Sequence, residues 1–113
     1  MPAKEPHTDL DVYDVGSIQS VLAALSDPVR LEMVRRLDDA GDARPCAQLY
    51  DEVSKSTASH HFKILREAGV IERSRVGGQM HQRLRRGEVE AAYPGLLDSV
   101  TAALGSRNGG KRR

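Results

Sequence analysis

The sequence predicts a small, mostly α-helical domain with one β-hairpin, and three observations predict it. Apolar residues recur at helical spacing in several segments between Ile18 and Leu104, interrupted once by an alternating pattern around Gly77-Gly78. Aromatic residues make up only 4% of the chain and Trp is absent, so packing falls to Leu, Val, Ile and Ala, which favours helices over sheets. The 113 residues suffice for one modest core and not for two.

Each element follows from local signals. Residues 1–15 hold two prolines and four acids with little periodicity and read as a flexible arm, so the folded domain is placed at 16–104. Ser17 can cap a short first helix carrying Ile18, Val21, Leu22 and Leu25. Asp27 and Pro28 form a strong start for a second helix over 28–40, with Val29, Met33, Val34 and Leu37 as its apolar stripe and Gly41 as its stop. Pro45 can open a brief third helix with Ala47, Leu49, Tyr50 and Val53. Ser54 or Ser56 then caps a fourth, with Ala58, Phe62, Leu65 and Ala68 inward and Gly69 at its end. The third and fourth, joined by a tight turn, have the form of a helix-turn-helix.

Gly77-Gly78 supplies the positive φ angles of a two-residue hairpin turn. In the returning strand Met80, Gln82 and Leu84 share one face, while Gln79, His81, Arg83 and Arg85 share a polar, basic one. The last helical stretch carries Leu96, Leu97, Val100 and Leu104 on one side, with Pro94 restarting or kinking it, and that stripe needs a partner. Residues 105–113 are glycine-rich and basic and read as a disordered tail; no internal repeat is found.

A net charge of +1 conceals an uneven distribution. Residues 1–53 carry 5 Lys/Arg against 11 Asp/Glu, residues 54–86 carry 8 against 2, and residues 87–113 carry 4 against 3. The central block therefore offers a surface for a polyanion, unless it is only a solvated face. One cysteine, Cys46, excludes an internal disulfide, no apolar run forms a secretory signal, and no window approaches the roughly 18 apolar residues of a membrane helix, so a cytoplasmic protein is expected.

The adjacent His60 and His61 test the chemistry. On a helix they point about 100° apart, and their i±4 neighbours, Ser56, Ile64, Thr57 and Leu65, are poor ligands for a soft metal. Phosphate-loop, nucleophile-elbow and zinc-protease motifs are missing, so the chain does not read as an enzyme. The polar side of this helix holds Lys55, Ser56, Thr57, Ser59, His60, Lys63 and Arg66, with His61 near the boundary. Hydrogen-bonding groups at the helix start, flanked by cations, suit a helix in the major groove of double-stranded DNA. The plainer alternative leaves His61 packed on the preceding helix and His60 solvated.

Three segments in order, VLAALSDPVRLEMVRRL, STASHHFKILREAGVI and the basic hairpin, resemble the ArsR/SmtB-type winged helix-turn-helix repressors over roughly residues 17–104. The resemblance implies a homodimer through the first and last helices, using Ile18, Val21, Leu22, Leu96, Leu97, Val100 and Leu104. It implies recognition helices in successive major grooves of a near-palindromic operator, and a wing that contacts DNA through Arg73, Arg75, Gln79, His81 and Arg83. It also implies a repressor released by an effector.

The family's metal sites are not reproduced. Where many members carry Cys-x-Cys, this chain reads Pro45-Cys46-Ala47-Gln48, and residues 87–104 contain Glu88, Glu90 and Asp98 but no histidine. No cofactor is assigned. Nickel or zinc stays open as an effector, through His7 with Asp9 or Asp11, as does a thiol response at Cys46, which otherwise reads as a small buried residue. Two other functional classes remain below the DNA-binding regulator: a winged-helix module that binds protein, and a small metal-binding protein or enzyme, which the spacing of the histidines argues against.

Overall fold

The computed structural model describes residues 12–105, arranged as five helices around one core with a small antiparallel sheet at one side. Helix α1 spans Ile18–Leu25 and α2 spans Pro28–Ala40. Ser17 caps the first by accepting from the Ser20 amide, and Asp27 caps the second by accepting from the amides of Val29 and Arg30, with Pro28 in its first turn. Gly41, at φ 67°, ends α2 in the left-handed conformation. Helix α3, Lys55–Glu67, is capped by Ser54, whose side chain accepts from the Thr57 amide.

The third predicted helix is replaced by something shorter. Arg44–Pro45 form strand β1, and Cys46–Leu49 make a single 3-10 turn. Pro45 is extended, with ψ 144°, and Tyr50 returns the chain to the extended conformation at φ −152°, ψ 162°, so the helical stretch stops after one turn. Ala47 is exposed. The helix-turn-helix therefore consists of this turn, the loop after it, and α3.

Strands β2, Ile71–Val76, and β3, Gln79–Leu84, form the predicted hairpin, with Gly77 and Gly78 at φ 59° and 82°. β1 adds to the far side of β3, Arg44 opposite Gln82 and Pro45 opposite His81, giving the order β1-β3-β2. A two-residue strand leaves no alternating pattern, which is why the hairpin alone was expected.

The last stretch is two helices, α4 at Arg86–Ala92 and α5 at Leu96–Ala103. Gly95, at φ 87°, breaks them, and Glu90 reaches across the break to accept from the amides of Gly95 (2.7 Å) and Leu97 (2.8 Å). No helix among the described residues is long and apolar enough to cross a membrane.

The core joins Val21, Ala24 and Leu25 of α1, Met33, Val34 and Leu37 of α2, Phe62 and Leu65 of α3, and Val70, Ile71, Val89 and Leu97 beyond them. This packing corrects the predicted interface set. Val21 and Leu97 are fully buried within the chain, whereas Ile18 and Leu22 are exposed and Leu96, Val100 and Leu104 half-buried. The stripes on α1 and α5 each split into two i, i+4 rows: one inward (Val21/Leu25; Leu97/Thr101), and a second that is exposed on α1 (Ile18/Leu22) and half-buried on α5 (Leu96/Val100/Leu104), where Leu96 and Val100 still touch the core. Thr101 fits the inward row because its hydroxyl donates to the Leu97 carbonyl at 2.8 Å.

Residues 12–16 lie against the end of α3: Gly16 N–H donates to Ala68 O at 2.9 Å, and Arg85 donates to the carbonyls of Gly69 (3.0 Å) and Tyr13. A side chain at Gly69 would put its Cβ 2.4 Å from Asp14 O and 2.5 Å from Val15 Cα, at a φ of 80° that already disfavours one. His7, Asp9 and the tail from residue 106 lie outside the described residues, as does Asp11.

Ion pairs tie the helices together. Asp38 on α2, 2% exposed, accepts from Arg86 Nε (2.9 Å) and Nη2 (2.7 Å), while Arg86 Nη1 donates to Asp98 of α5 at 2.7 Å. On the outer face of α2, hydrogen bonds from Arg35, opposed by partial burial and reinforced by Arg36, hold the Glu32 carboxyl at about 2 instead of its ordinary 4.5.

Two outcomes follow. Gly69→Ala should destabilise the protein by more than about 2 kcal/mol in urea denaturation, because strain and overlap add; a loss below about 0.5 kcal/mol would contradict the packing. The depressed Glu32 value makes its contribution fully present above pH 4.5 and progressively lost as pH falls toward 2. Solvent screening keeps that contribution under about 1 kcal/mol. Glu32→Gln should therefore flatten this part of the acid limb of a melting-temperature profile and leave its shape above pH 5 unchanged.

Candidate nucleic-acid interface

The basic block becomes a shaped surface because α3 is fixed on its inner side. Ala58, Phe62 and Leu65 are buried, and the Phe62 ring meets Tyr50 edge-on with centroids 6.2 Å apart. Lys55, Ser56, Thr57, Ser59, His60 and Lys63 are consequently exposed together, and Arg66 is half-buried. The structure thus brings the predicted helix residues onto one outward surface, with two exceptions in role.

The first is His61, whose side chain is only 13% exposed. Its Nδ1 lies 2.9 Å from Arg30 Nη1, and a guanidinium can only donate, so Nδ1 accepts and the ring proton sits on Nε2. Arg30 also donates through Nε to Ala24 O at 2.6 Å, at the end of α1. Asp27 sits between these groups. Partial burial works against its charge, but hydrogen bonds from the Arg30 and Val29 amides and the neighbouring guanidinium leave its carboxyl below its ordinary value of 3.8. His61 is therefore a joint between helices, as the plainer reading had it, and His60 is the outward member of the pair. Their ring centroids are 6.0 Å apart and tilted by 53°, and no group of three or more potential metal ligands exists among the described residues.

The second is Thr57, whose hydroxyl accepts from Ser54 Oγ at 3.0 Å while Ser54 also lies 3.3 Å from Ser56 Oγ. These hydroxyls serve the helix cap while remaining exposed.

The wing divides its residues by register. Arg73 lies opposite Gln82 and Arg75 opposite Met80, on the face that includes Ile71 and Leu84; Ser74 faces His81 and Glu72 faces Arg83 on the other. Arg75 and Gln79 are exposed. Arg73 is half-buried beside α3, and His81 is half-buried with Nδ1 3.2 Å from Gln79 O. Arg83 is committed to Glu72 at 2.8 Å and Glu88 at 3.3 Å, which hold its guanidinium more firmly protonated. Arg85, read as an outward cation, is 7% exposed because its guanidinium binds carbonyls inside the fold.

Sequence reasoning missed Arg30 and Gln82. Arg30 could have been noticed three residues after the Asp27 cap, but its partners on α1 and α3 are set only by the fold. Gln82 alternates with Met80 and Leu84 on the strand face that can pack, but nothing local shows which partners its amide meets there.

The comparisons agree with this geometry. The profile of a helix-turn-helix domain family matches residues 25–74. An uncharacterized HTH-type transcriptional regulator of Bacillus subtilis, YceK, is 33% identical over 82 residues, covering 71% of this chain and 82% of the relative. The chain belongs to the ArsR/SmtB-type winged helix-turn-helix regulators. Among solved structures, an ArsR-like transcriptional regulator from Rhodococcus sp. RHA1 superimposes with a TM-score of 0.58 at 25% identity, over 83% of this chain and 88% of that one. The transcriptional repressor BigR of Xylella fastidiosa gives 0.54 at 27% identity, over 66% and 76%. The relatives are regulators of transcription, and this chain is a helix-turn-helix regulator.

The two histidines should separate by mutation. His61→Ala should lower stability by about 1–3 kcal/mol by leaving the Arg30 guanidinium without one of its partners, whereas His60→Ala should stay within about 0.5 kcal/mol. Equal losses in chemical denaturation would contradict the division.

Proposed function

We propose that the protein is a cytoplasmic, dimeric repressor that binds a near-palindromic operator and is released by an effector. The observation that carries this reading is the outward face of α3: hydroxyls and His60 at its beginning, Lys55 and Lys63 beside them, all exposed on a helix whose opposite face is locked in the core. In the major groove Ser59 and His60 read base edges, while Lys63 and, from the wing, Arg75 meet phosphates. Gln79 lies at the wing tip, and Arg73, His81 and Arg66 flank the groove. Arg83 contributes mainly by holding the wing to Glu72 and Glu88.

The second rows of α1 and α5 support the dimer. Leu22 is 48% exposed and Ile18 38%, an apolar stripe on a short helix that burial against a second copy would stabilise. Two copies related by a twofold axis present two reader helices to two half-sites, which is why the operator is expected to be palindromic. BigR and PagR of Bacillus anthracis are transcriptional repressors, which favours repression over activation here.

Binding to the protein's own upstream DNA, measured by fluorescence anisotropy across a salt series, tests the reading. Affinity should fall steeply with salt and exceed that for random duplex by at least about 1000-fold. Lys63→Ala and Arg75→Ala should weaken binding to both duplexes and flatten the salt slope by about one each, while Ser59→Ala and His60→Ala should chiefly narrow the gap between them. Leu22→Asp should yield a monomer in sedimentation and lose tight operator binding. A salt-insensitive interaction with no duplex preference would favour the protein-binding module instead.

A further inference from the structure

Between α3 and the wing lies a cleft of about 540 Å³, within the size range of small-ligand sites. Its lining combines apolar and cationic side chains: Phe62, Tyr50 and Met80 supply apolar wall, the exposed Lys55 and Lys63 and the half-buried Arg66 and Arg73 supply positive charge, and the buried Gln82 completes it.

Gln82 is the unusual member. It is 2% exposed, its Nε2 donates to Cys46 Sγ at 3.5 Å, and its Oε1 is buried with no hydrogen-bond partner. A buried amide oxygen left in this state costs about 1–3 kcal/mol, so a group that donates to it gains more than it would from a solvated acceptor. DNA does not explain such a buried acceptor, because phosphates and base edges are met by exposed cations and polar groups at the rim.

We infer that this cleft is a regulatory site for a small aromatic anion that carries one hydrogen-bond donor. The apolar walls take the ring, Gln82 Oε1 accepts from the donor, and Lys63 with Lys55 faces the anionic group. No covalent step is involved. Lys55, Ser59, Lys63 and Gln79 border the same cleft, so an occupant covers residues assigned above to DNA, and ligand and duplex exclude one another. This exclusion rests on the proposed DNA-binding function; the ligand site does not.

The probe is 2-anilinonaphthalene-6-sulfonate, an aromatic anion with one free N–H, titrated against the full chain by fluorescence. Saturable binding is expected, weakened about five-fold by Gln82→Leu and about three-fold by Lys63→Ala, effects of the size of one hydrogen bond and one exposed charge. Lys63 is exposed, so its variant keeps the test valid if the buried substitution impairs folding. Absence of saturable binding, or equal binding by all three proteins, overturns the site and leaves Gln82 Oε1 to a buried water. Adding random-sequence duplex should displace the dye. If the duplex binds and the dye stays, exclusion is overturned; if the duplex does not bind at all while the dye still depends on Gln82, the DNA reading fails and the ligand site stands.

Discussion

The guanidinium of Arg30 holds the recognition apparatus in place. It sits in the first turn of α2, beside the Asp27 cap, and reaches the end of α1 through Ala24 O and the middle of α3 through His61. A reader helix is useful only if its outward face is presented at a fixed angle, and hydrophobic contact alone, being non-directional, sets that angle loosely. Directed hydrogen bonds from one planar group to two other helices add the missing orientation. With Arg30 placed, the inward row of α3 enters the core and the outward row is left exposed as a unit.

The basic block is less free than its charge implies. Of the eight cations between residues 54 and 86, Arg83, Arg85 and Arg86 are bound to carboxylates or carbonyls inside the fold. They position the wing and fasten α4 and α5 to α2. The charge that reaches solvent is concentrated on Lys55, Lys63 and Arg75, a narrower and better-aimed surface than a count of residues suggests. Arginine suits the structural role because its fork bonds two partners at once, as Arg86 does with Asp38 and Asp98.

Much of the fold was legible in the sequence because its signals are local. Ser17, Asp27-Pro28 and Ser54 mark helix starts, Gly41 and Gly69 mark stops, and Gly77-Gly78 marks the turn, each through conformational preferences that neighbours do not override. The errors fall where distant contacts decide. A four-residue 3-10 turn and a two-residue strand are too short to show a period, and whether Val21 or Leu22 faces inward depends on where α2 lies. The exposed residues of α3 were likewise readable from periodicity. The anchoring of His61, the diversion of Arg83 and Arg85, and the amide contact of Gln82 were not, because each depends on partners 11 to 72 residues away.

The segment Val12–Gly16 has a mechanical consequence. The peptide groups of Gly16 are held from both sides, its N–H by Ala68 at the end of α3 and its carbonyl by Tyr93 Oη at 2.7 Å after α4. Only Ser17 separates this clamp from α1, the helix with the exposed apolar row. With one residue between them, the clamp and the start of α1 stay within a single residue's reach, so the clamp is a short tie rod that keeps α1 close to the C-terminal end of α3.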